Sequence, residues 1–461
     1  MSTFTTECYQ NEYLQLGARE VNAIVTVASD GVAGRADQRE AAEIVIIDTS
    51  GSMGAPRRKL EAAREATGIA IECIRDGVAF GVIAGTEFAT AVYPTGGTLV
   101  AASEQTRAEA KQALGRLTAG GGTAIGSWLT LAGELFATVP SRSCHAILLT
   151  DGANEHESDE HLDSVLSKCE GKFQCDCRGV GTDWRVSELR RIASTLLGTV
   201  DIIAHPKDMA GDFRALMQTA MGKATGSVSL RLWTPQGASV AFVRQVAPTI
   251  EDLTDRAMPV DARTADYPTS TWGRESRDYH ICIVVPPGEV GDEMLAGRVS
   301  LVEGGAKAPP SGAADHPTKA PASGAADHPT EAPPSGAADH PINLATARIR
   351  AIWTDDQQLS TRINREVAHY TGQAELAECI QEGLEARKEG DLATATFKLG
   401  RAVRLAAESG NDGTMKLLQA VVDVDDAATG TIRLRHDVAP VDEMSLDTRS
   451  TITVRVGPGA T

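Results

Sequence analysis

The chain has 461 residues, 42% of them hydrophobic and 23% charged, and its 44 Lys+Arg against 62 Asp+Glu give a net charge of −18. At roughly 100–200 residues per domain, this length predicts two to four globular units. The acidic balance disfavours nucleic acid and anionic lipid as partners, because both attract basic surfaces. No run approaches the about 18 apolar residues of a transmembrane helix, and the N-terminus lacks a secretory pattern. We therefore expect a cytoplasmic protein without a membrane span.

Residues 41–222 alternate short apolar runs with amphipathic stretches. The apolar runs predict strands at 43–48, 78–85, 90–93, 145–151, 173–181 and 200–204. The stretches between them predict helices at 58–75, 103–117, 127–136, 158–169, 185–197 and 208–221. This alternation predicts an α/β fold with a doubly wound, mostly parallel sheet and helices on both faces.

The residues that follow have a different pattern. Segments within 226–302, and the segment 345–356, alternate polar and apolar residues without helical runs between them. This pattern predicts an antiparallel β-domain over 223–357. The strand predicted at 19–29 has no helix behind it, so we assign residues 1–40 to the same β-domain.

A low-complexity repeat interrupts the β-domain. Three copies of a 12-residue unit such as EAPPSGAADHPI occupy residues 307–342. Their Pro, Gly and Ala content predicts a mobile linker, which we place as an overgrown loop at 304–342. The repeated His316, His328 and His340 are read as copies of the unit rather than as metal ligands.

The C-terminal part is predicted to be helical over 358–425. A small bundle is favoured there over a single tetratricopeptide-like unit, because one unit does not form a solenoid. Residues 426–461 are predicted to form a tail with two strands, at 431–438 and 451–457.

Three segments of the α/β region carry oxygen side chains where strands or loops end. Asp48, Ser50 and Ser52 follow the first buried strand, Thr123 lies in GGGTAIG, and Asp151 ends HAILLTD. The carboxyl ends of parallel strands meet at one edge of the sheet, where open α/β folds bind ligands. Two carboxylates and three hydroxyls are hard ligands, which select Mg²⁺, Mn²⁺ or Ca²⁺ over zinc or copper.

These motifs, in this order and spacing, resemble the von Willebrand factor type A domain and its metal-ion-dependent adhesion site. The resemblance implies that Asp48, Ser50, Ser52, Thr123 and Asp151 hold the ion, directly or through water. It also implies that an Asp or Glu of a partner protein completes the coordination, so that the chain is an adaptor and not an enzyme. The chain also resembles bacterial intracellular proteins in which such a domain is joined to a β-domain and a helical tail. Some of these work with AAA+ ATPases or phosphorylation-signalling modules.

Two other functions stay open at this stage. A two-carboxylate metal centre can hydrolyse phosphoesters, but His156 is the only histidine near Asp151 and nothing in the sequence aims it at the ion. The chain can also be a structural scaffold, in which a bound ion only holds loops together and stabilises the fold.

Other candidate motifs are weaker. Cys169, Cys175 and Cys177 have the spacing C-x5-C-x-C, for which core packing is favoured over metal or redox chemistry. Cys144 and His145 are adjacent on a strand and point to opposite faces, which disfavours a protease pair. The sequence has no Walker phosphate loop and no G-x-S-x-G motif.

Overall fold

The structure is a computed structural model. It describes residues 3–31, 41–54, 58–140, 143–223, 228–304 and 342–456. The repeats, including His316, His328 and His340, lie outside the described residues apart from Ile342. Three strands open the chain: β1 (Phe4–Gln10), β2 (Tyr13–Gln15) and β3 (Glu20–Asp30).

An α/β unit follows. Its strands are β4 (Ala41–Asp48), β5 (Ala79–Gly85), β6 (Ala89–Tyr93), β7 (Val100–Ala101), β8 (Ser143–Thr150), β9 (Gln174–Val180) and β10 (Val200–Ile203). Its helices are α1 (Arg58–Cys73), α2 (Glu104–Leu114), α3 (Ile125–Phe136), α4 (Asp159–Cys169), α5 (Val186–Thr195) and α6 (Met209–Gly222). The sheet order is β10-β9-β8-β4-β5-β6, with β7 also pairing β5. β10, β9, β8, β4 and β5 are parallel, and β6 and β7 run antiparallel to β5.

The central strand β4 packs helices on both faces of this sheet. Ile44 and Ile46 face a core built with α3, α4 and α5. Val45 and Ile47 face a second core, built with α1, α2 and α6. Because successive side chains of a strand point to opposite faces, a run of apolar residues is required where both faces are covered. The predicted doubly wound α/β fold is confirmed.

Two further sheets enclose one core and form a sandwich. Its remaining strands are β11 (Val228–Trp233), β12 (Ser239–Ala247), β13 (Glu251–Asp252), β14 (Met258–Asp261), β15 (Thr264–Pro268), β16 (Arg274–Val284), β17 (Glu293–Glu303) and β18 (Ile342–Thr354). The sheet orders are β1-β3-β16-β12-β13 and β14-β15-β11-β17-β18-β2. β3 pairs antiparallel with β16, so this N-terminal strand is part of the β-sheets. β17 and β18 pair with each other, so the chain leaves and re-enters the same sheet around residues 305–341.

The C-terminal part is mostly helical. It contains α7 (Gln357–Ser360), α8 (Arg365–Glu389), α9 (Leu392–Ser409), α10 (Asp412–Val421), β19 (Val422–Asp426), β20 (Thr431–Leu434) and α11 (Pro440–Arg449). The cores of α8, α9, α10 and α11 merge into one cluster. In the described part of the chain, no helix is both long and apolar enough to cross a membrane.

Two predictions for this part are wrong. The helical prediction over 358–425 extends too far, because α10 ends at Val421 and Val422–Asp426 forms a hairpin with Thr431–Leu434. The strand predicted at 451–457 is absent from its described residues, where Ile452 makes a single bridge to Thr249. The unpredicted helix α11 precedes it. Pro440 lies in the first turn of α11, a position where the missing N–H of proline costs nothing.

Candidate metal centre

The adjacent strands β4 and β8 place Asp48 beside Thr150. Their register pairs Ile47 with Leu149, and the next residue on each strand is Asp48 and Thr150. Thr150 Oγ1 donates to Asp48 Oδ2 at 2.6 Å, and the backbone N–H of Ser50 donates to Asp48 Oδ1 at 2.7 Å. Burial raises the pKa of the Asp48 carboxyl, and the hydrogen bonds from Ser50 and Thr150 oppose that rise. Both oxygens of this fully buried carboxyl are therefore held in place.

A chain of oxygen atoms connects the loop after β4 with the loop after β8. Ser52 Oγ donates to Asp151 Oδ1 at 2.6 Å and lies 2.9 Å from Ser50 Oγ. Asp151 is fully buried, whereas Ser52 is exposed. The exposed Ser52 hydroxyl therefore lies between two buried groups, the Asp151 carboxylate and the Ser50 hydroxyl, and connects both to the surface.

Gly152 brings Thr123 to the same place. A Cβ built on Gly152 would lie 3.5 Å from Ser52 Oγ and 3.6 Å from Thr123 Oγ1. Both hydroxyls therefore face one point beside Gly152, and a larger side chain there would enter the space next to them. The structure thus brings all five predicted residues, Asp48, Ser50, Ser52, Thr123 and Asp151, to one end of the sheet.

Backbone hydrogen bonds lock the loop after β4 to the glycine-rich loop that precedes α3. The N–H of Gly51 donates to Gly121 O at 3.0 Å, and the N–H of Gly120 donates to Thr49 O at 2.9 Å. Gly121 has φ +80°, and a Cβ there would collide with the Glu87 carboxylate. The positive φ therefore favours glycine at this position, and any Cβ would also displace the flexible Glu87 side chain.

Two side chains support the loop around Thr123. Glu87 Oε2 accepts a hydrogen bond from the N–H of Gly122 at 2.6 Å. His156 Nδ1 accepts one from the N–H of Thr123 at 3.1 Å, which requires the proton of the neutral ring to sit on Nε2. The His156 ring therefore positions the loop, which leaves it poorly placed to act as a base.

A lysine reaches the site from α1. Lys59 Nζ lies 2.7 Å from Asp151 Oδ2 and 3.8 Å from the Oδ2 of Asp183, in the loop after β9. The sequence pointed to none of Thr150, Lys59, Glu87 or His156 as supports of the site. Of these, only Thr150 carried a visible signal, since it directly precedes Asp151 in the LLTDG motif.

The donor set fits a hard divalent cation. It offers two buried carboxylates and three hydroxyls, all oxygen. Within the part of the chain that the structure describes, no three His, Cys, Asp or Glu side chains group as a metal site. The assignment of these five residues as ligands stays a prediction.

The cysteine motif belongs to the core, as favoured from the sequence. Cys169, Cys175 and Cys177 are buried in the cluster shared with α3, α4 and α5. All three are free thiols. Burial raises the pKa of Cys169, which keeps that thiol protonated and unreactive.

A doubly wound α/β fold with hydroxyl and carboxylate side chains gathered at the carboxyl end of its strands defines the class of α/β domains with a candidate metal site at one end of the sheet. Comparison with family models gives the same result. Residues 42–202 match the von Willebrand factor type A domain, and residues 404–450 match the von Willebrand factor type A C-terminal domain. The second match covers the end of α9, then α10, the β19–β20 hairpin and α11.

A solved structure, von Willebrand factor type A from Catenulispora acidiphila, is 48% identical, with 98% of this chain and 97% of that chain covered and a TM-score of 0.87. The chain belongs to the von Willebrand factor type A family. The ArnB paralog VWA2 from Sulfolobus acidocaldarius is 14% identical, with 99% of this chain and 100% of that chain covered and a TM-score of 0.56, and it shares the fold.

A curated relative matches about half of the chain. The uncharacterized protein sll0103 from Synechocystis sp. is 31% identical over 218 residues, which cover 46% of this chain and 49% of that protein. The chain therefore spans about half the length of this relative. The bacterial relatives fit the bacterial type expected from the sequence.

Proposed function

We propose that this chain is a metal-dependent protein-interaction module that captures an acidic side chain of a partner protein. Asp48, Ser50, Ser52, Thr123 and Asp151 would hold Mg²⁺, with Mn²⁺ or Ca²⁺ as substitutes. When bound, the ion would supply a Lewis-acidic position open to a carboxylate. The observation that carries the proposal is the convergence of the Ser52 and Thr123 hydroxyls beside Gly152, next to two buried carboxylates.

The residues divide into two groups by exposure. Asp48 and Asp151 are fully buried and lie beneath the loop surface, where a partner side chain cannot reach them directly. Ser52 is exposed, and its hydroxyl lies between the Ser50 hydroxyl and the Asp151 carboxylate. A partner carboxylate would therefore meet the centre on the Ser52 side, and its negative charge requires a cation between it and the two aspartates. An AAA+ ATPase or a phosphorylation-signalling protein remains the partner class proposed.

The phosphoesterase alternative needs a base beside the ion. His156 is the nearest candidate along the chain, and its Nδ1 is occupied by the N–H of Thr123 at 3.1 Å. This contact favours a positioning role for His156 and argues against the phosphoesterase alternative.

Titration calorimetry with Mg²⁺ and Mn²⁺ tests the metal step on wild type, Asp48→Asn and Asp159→Asn. Asp159 is the matched control, since its side chain is 71% exposed and pairs with Arg191 on the surface. We expect wild type and Asp159→Asn to bind the metal and Asp48→Asn to lose binding while staying folded. Equal affinity in Asp48→Asn would overturn the proposal.

Capture from native lysate tests the partner step, with wild type and Asp48→Asn as baits in Mg²⁺ or in EDTA. A protein retained only by wild type in Mg²⁺ supports the adaptor. If metal binds but the captured proteins are the same in all four samples, the ion is structural. Removing it with EDTA should then lower the melting temperature without changing which proteins are captured.

A further inference from the structure

Lys59 occupies an unusual place for a lysine. It is the second residue of α1, and the first turn of a helix favours acidic side chains because the helix dipole is positive there. Its side chain is only 13% exposed, although lysine is seldom buried. Neither helix stability nor solubility explains this placement, so the contact that Lys59 makes is the feature to explain.

That contact is with the candidate metal centre. Lys59 Nζ lies 2.7 Å from Asp151 Oδ2, while Ser52 donates to the other oxygen, Oδ1, at 2.6 Å. The ammonium therefore neutralises a fully buried carboxylate that the centre needs. A divalent cation that used this carboxylate would meet a positive charge already in contact with it.

A second acceptor lies within reach. Asp183 Oδ2 is 3.8 Å from Lys59 Nζ, and the Asp183 side chain is 72% exposed. Lysine is a flexible point charge whose long stem allows the ammonium to change partners without moving the backbone. The ammonium can thus leave Asp151 and stay paired.

We propose that Lys59 is a tethered counter-ion of the metal centre, paired with Asp151 in the metal-free chain and handed over to Asp183 when a divalent cation binds. This inference rests on the proposed function. The Lys59 ammonium and the metal ion then compete for the Asp151 carboxylate, and this competition sets the metal affinity. Asp183 offers the ammonium a second partner and so lowers the cost of its leaving Asp151. Such a chain would bind metal more weakly than the same ligand set without the lysine.

A double-mutant cycle tests the exchange, with Mn²⁺ affinity measured by calorimetry on the full chain. The variants are Lys59→Met, Asp183→Asn and the pair together, with Lys111→Met as the control. Lys111 pairs with Glu72 at 2.7 Å on the surface, away from the centre. Lys59→Gln is a second variant for the case in which Lys59→Met does not fold. Its neutral amide can still donate a hydrogen bond to Asp151, but it carries no charge.

Lys59→Met and Lys59→Gln should bind Mn²⁺ about tenfold more tightly than wild type, since one opposing charge is removed. Asp183→Asn should bind more weakly than wild type, and should have no effect in the Lys59→Met background. Lys111→Met should match wild type. Wild-type affinity in both Lys59 variants, or the same Asp183→Asn effect in both backgrounds, would overturn the exchange.

The outcomes separate this inference from the proposed function. If wild type binds Mn²⁺ and the Lys59 variants bind it equally, the exchange is wrong while the metal centre stands. Binding by the Lys59 variants alone would overturn the exchange, because Lys59 would then block the site without giving way to a cation. If no variant binds, the metal centre is wrong and the exchange with it.

Discussion

Thr150 Oγ1 donates a hydrogen bond of 2.6 Å to Asp48 Oδ2, and this bond ties the end of β8 to the end of β4. Both residues are fully buried. The bond holds the carboxylate at the base of the candidate metal centre, together with the Ser50 N–H on the other oxygen. The position of Asp48 is therefore fixed by the sheet register before any ligand arrives.

Replacing Thr150 with valine tests this relationship. Thr150→Val keeps the shape of the side chain but leaves Asp48 Oδ2 without its donor in a buried site. We expect a loss of about 1–3 kcal/mol in the free energy of unfolding and weaker Mg²⁺ binding. Urea unfolding and calorimetry measure the two effects.

Thr67→Val is the matched control for this substitution. Thr67 is also fully buried, and its hydroxyl donates to Ala63 O at 2.7 Å within α1. That carbonyl keeps its helical hydrogen bond, so the control should lose less stability and none of its Mg²⁺ affinity. Similar losses in both variants would show that Thr150 has no special role at the centre.

His156 gives a second prediction, which separates a positioning role from a catalytic one. His156→Ala removes the acceptor for the Thr123 N–H and should weaken Mn²⁺ binding, because the Thr123 hydroxyl is no longer held. His156→Asn should restore much of the affinity, since its amide oxygen can accept the same bond. His161→Ala is the control, on a side chain 60% exposed. If His156→Asn binds no better than His156→Ala, the hydrogen bond is not what positions Thr123.

The sequence predicted the parts of the site that follow from strand order. Asp48 and Asp151 each end or directly follow an apolar run, and parallel strands deliver both to one edge of the sheet. The contacts made by Lys59 could not be found this way. Residues 59 and 151 are brought together by the packing of α1 against the sheet, and no local pattern encodes which lysine of a helix reaches which loop.

The errors at the C-terminus have a similar cause. The β-branched alternation around Thr451 and Thr453 suits a strand. In the described structure, however, this segment pairs only briefly with residues 248–250, through the bridge from Ile452 to Thr249 and two flanking backbone hydrogen bonds. Helix α11 carries few apolar residues, so its periodicity is weak. It is stabilised instead by burial of Leu446 among residues of α8, α9 and α10.

A buried ion triad at the opposite end of the sheet predicts a pH dependence of stability. His145 Nδ1 lies 2.8 Å from Glu43 Oε2, and its Nε2 lies 2.8 Å from Asp176 Oδ2. Burial alone would lower the pKa of His145, but the two carboxylates raise it from 6.5 to about 9. Burial likewise opposes, but does not prevent, a lowering of the Asp176 pKa by His145.

A raised pKa favours the protonated histidine in the folded chain. The stability that His145 contributes is therefore complete below pH 6.5 and is lost as the pH rises towards about 9. The contribution of Asp176 is present above pH 3.8 and is lost as the pH falls below it. The free energy of unfolding should thus peak between these limits and fall by about 3 kcal/mol across the alkaline window.

Urea unfolding at a series of pH values measures this profile in wild type, His145→Gln and His161→Gln. His145→Gln should remove most of the alkaline fall, while His161→Gln should keep it, because His161 is exposed. An equal alkaline fall in His145→Gln and wild type would mean that other groups cause it. The same triad leaves His145 engaged on both ring nitrogens, which agrees with the expectation that Cys144 and His145 are no protease pair.

Leu446→Ala tests whether α11 is an integral part of the helical region. Leu446 is fully buried in the cluster that contains Leu418 and Val421 of α10. We expect a loss of about 2–5 kcal/mol from the cavity, seen as earlier melting of the helical signal and faster hydrogen exchange in α10. Leu392→Ala is the matched control, since Leu392 is 58% exposed and its truncation should change stability by about 0.5 kcal/mol or less. If Leu446→Ala unfolds like wild type, α11 is only peripheral, and the match over 404–450 does not mark a packed unit.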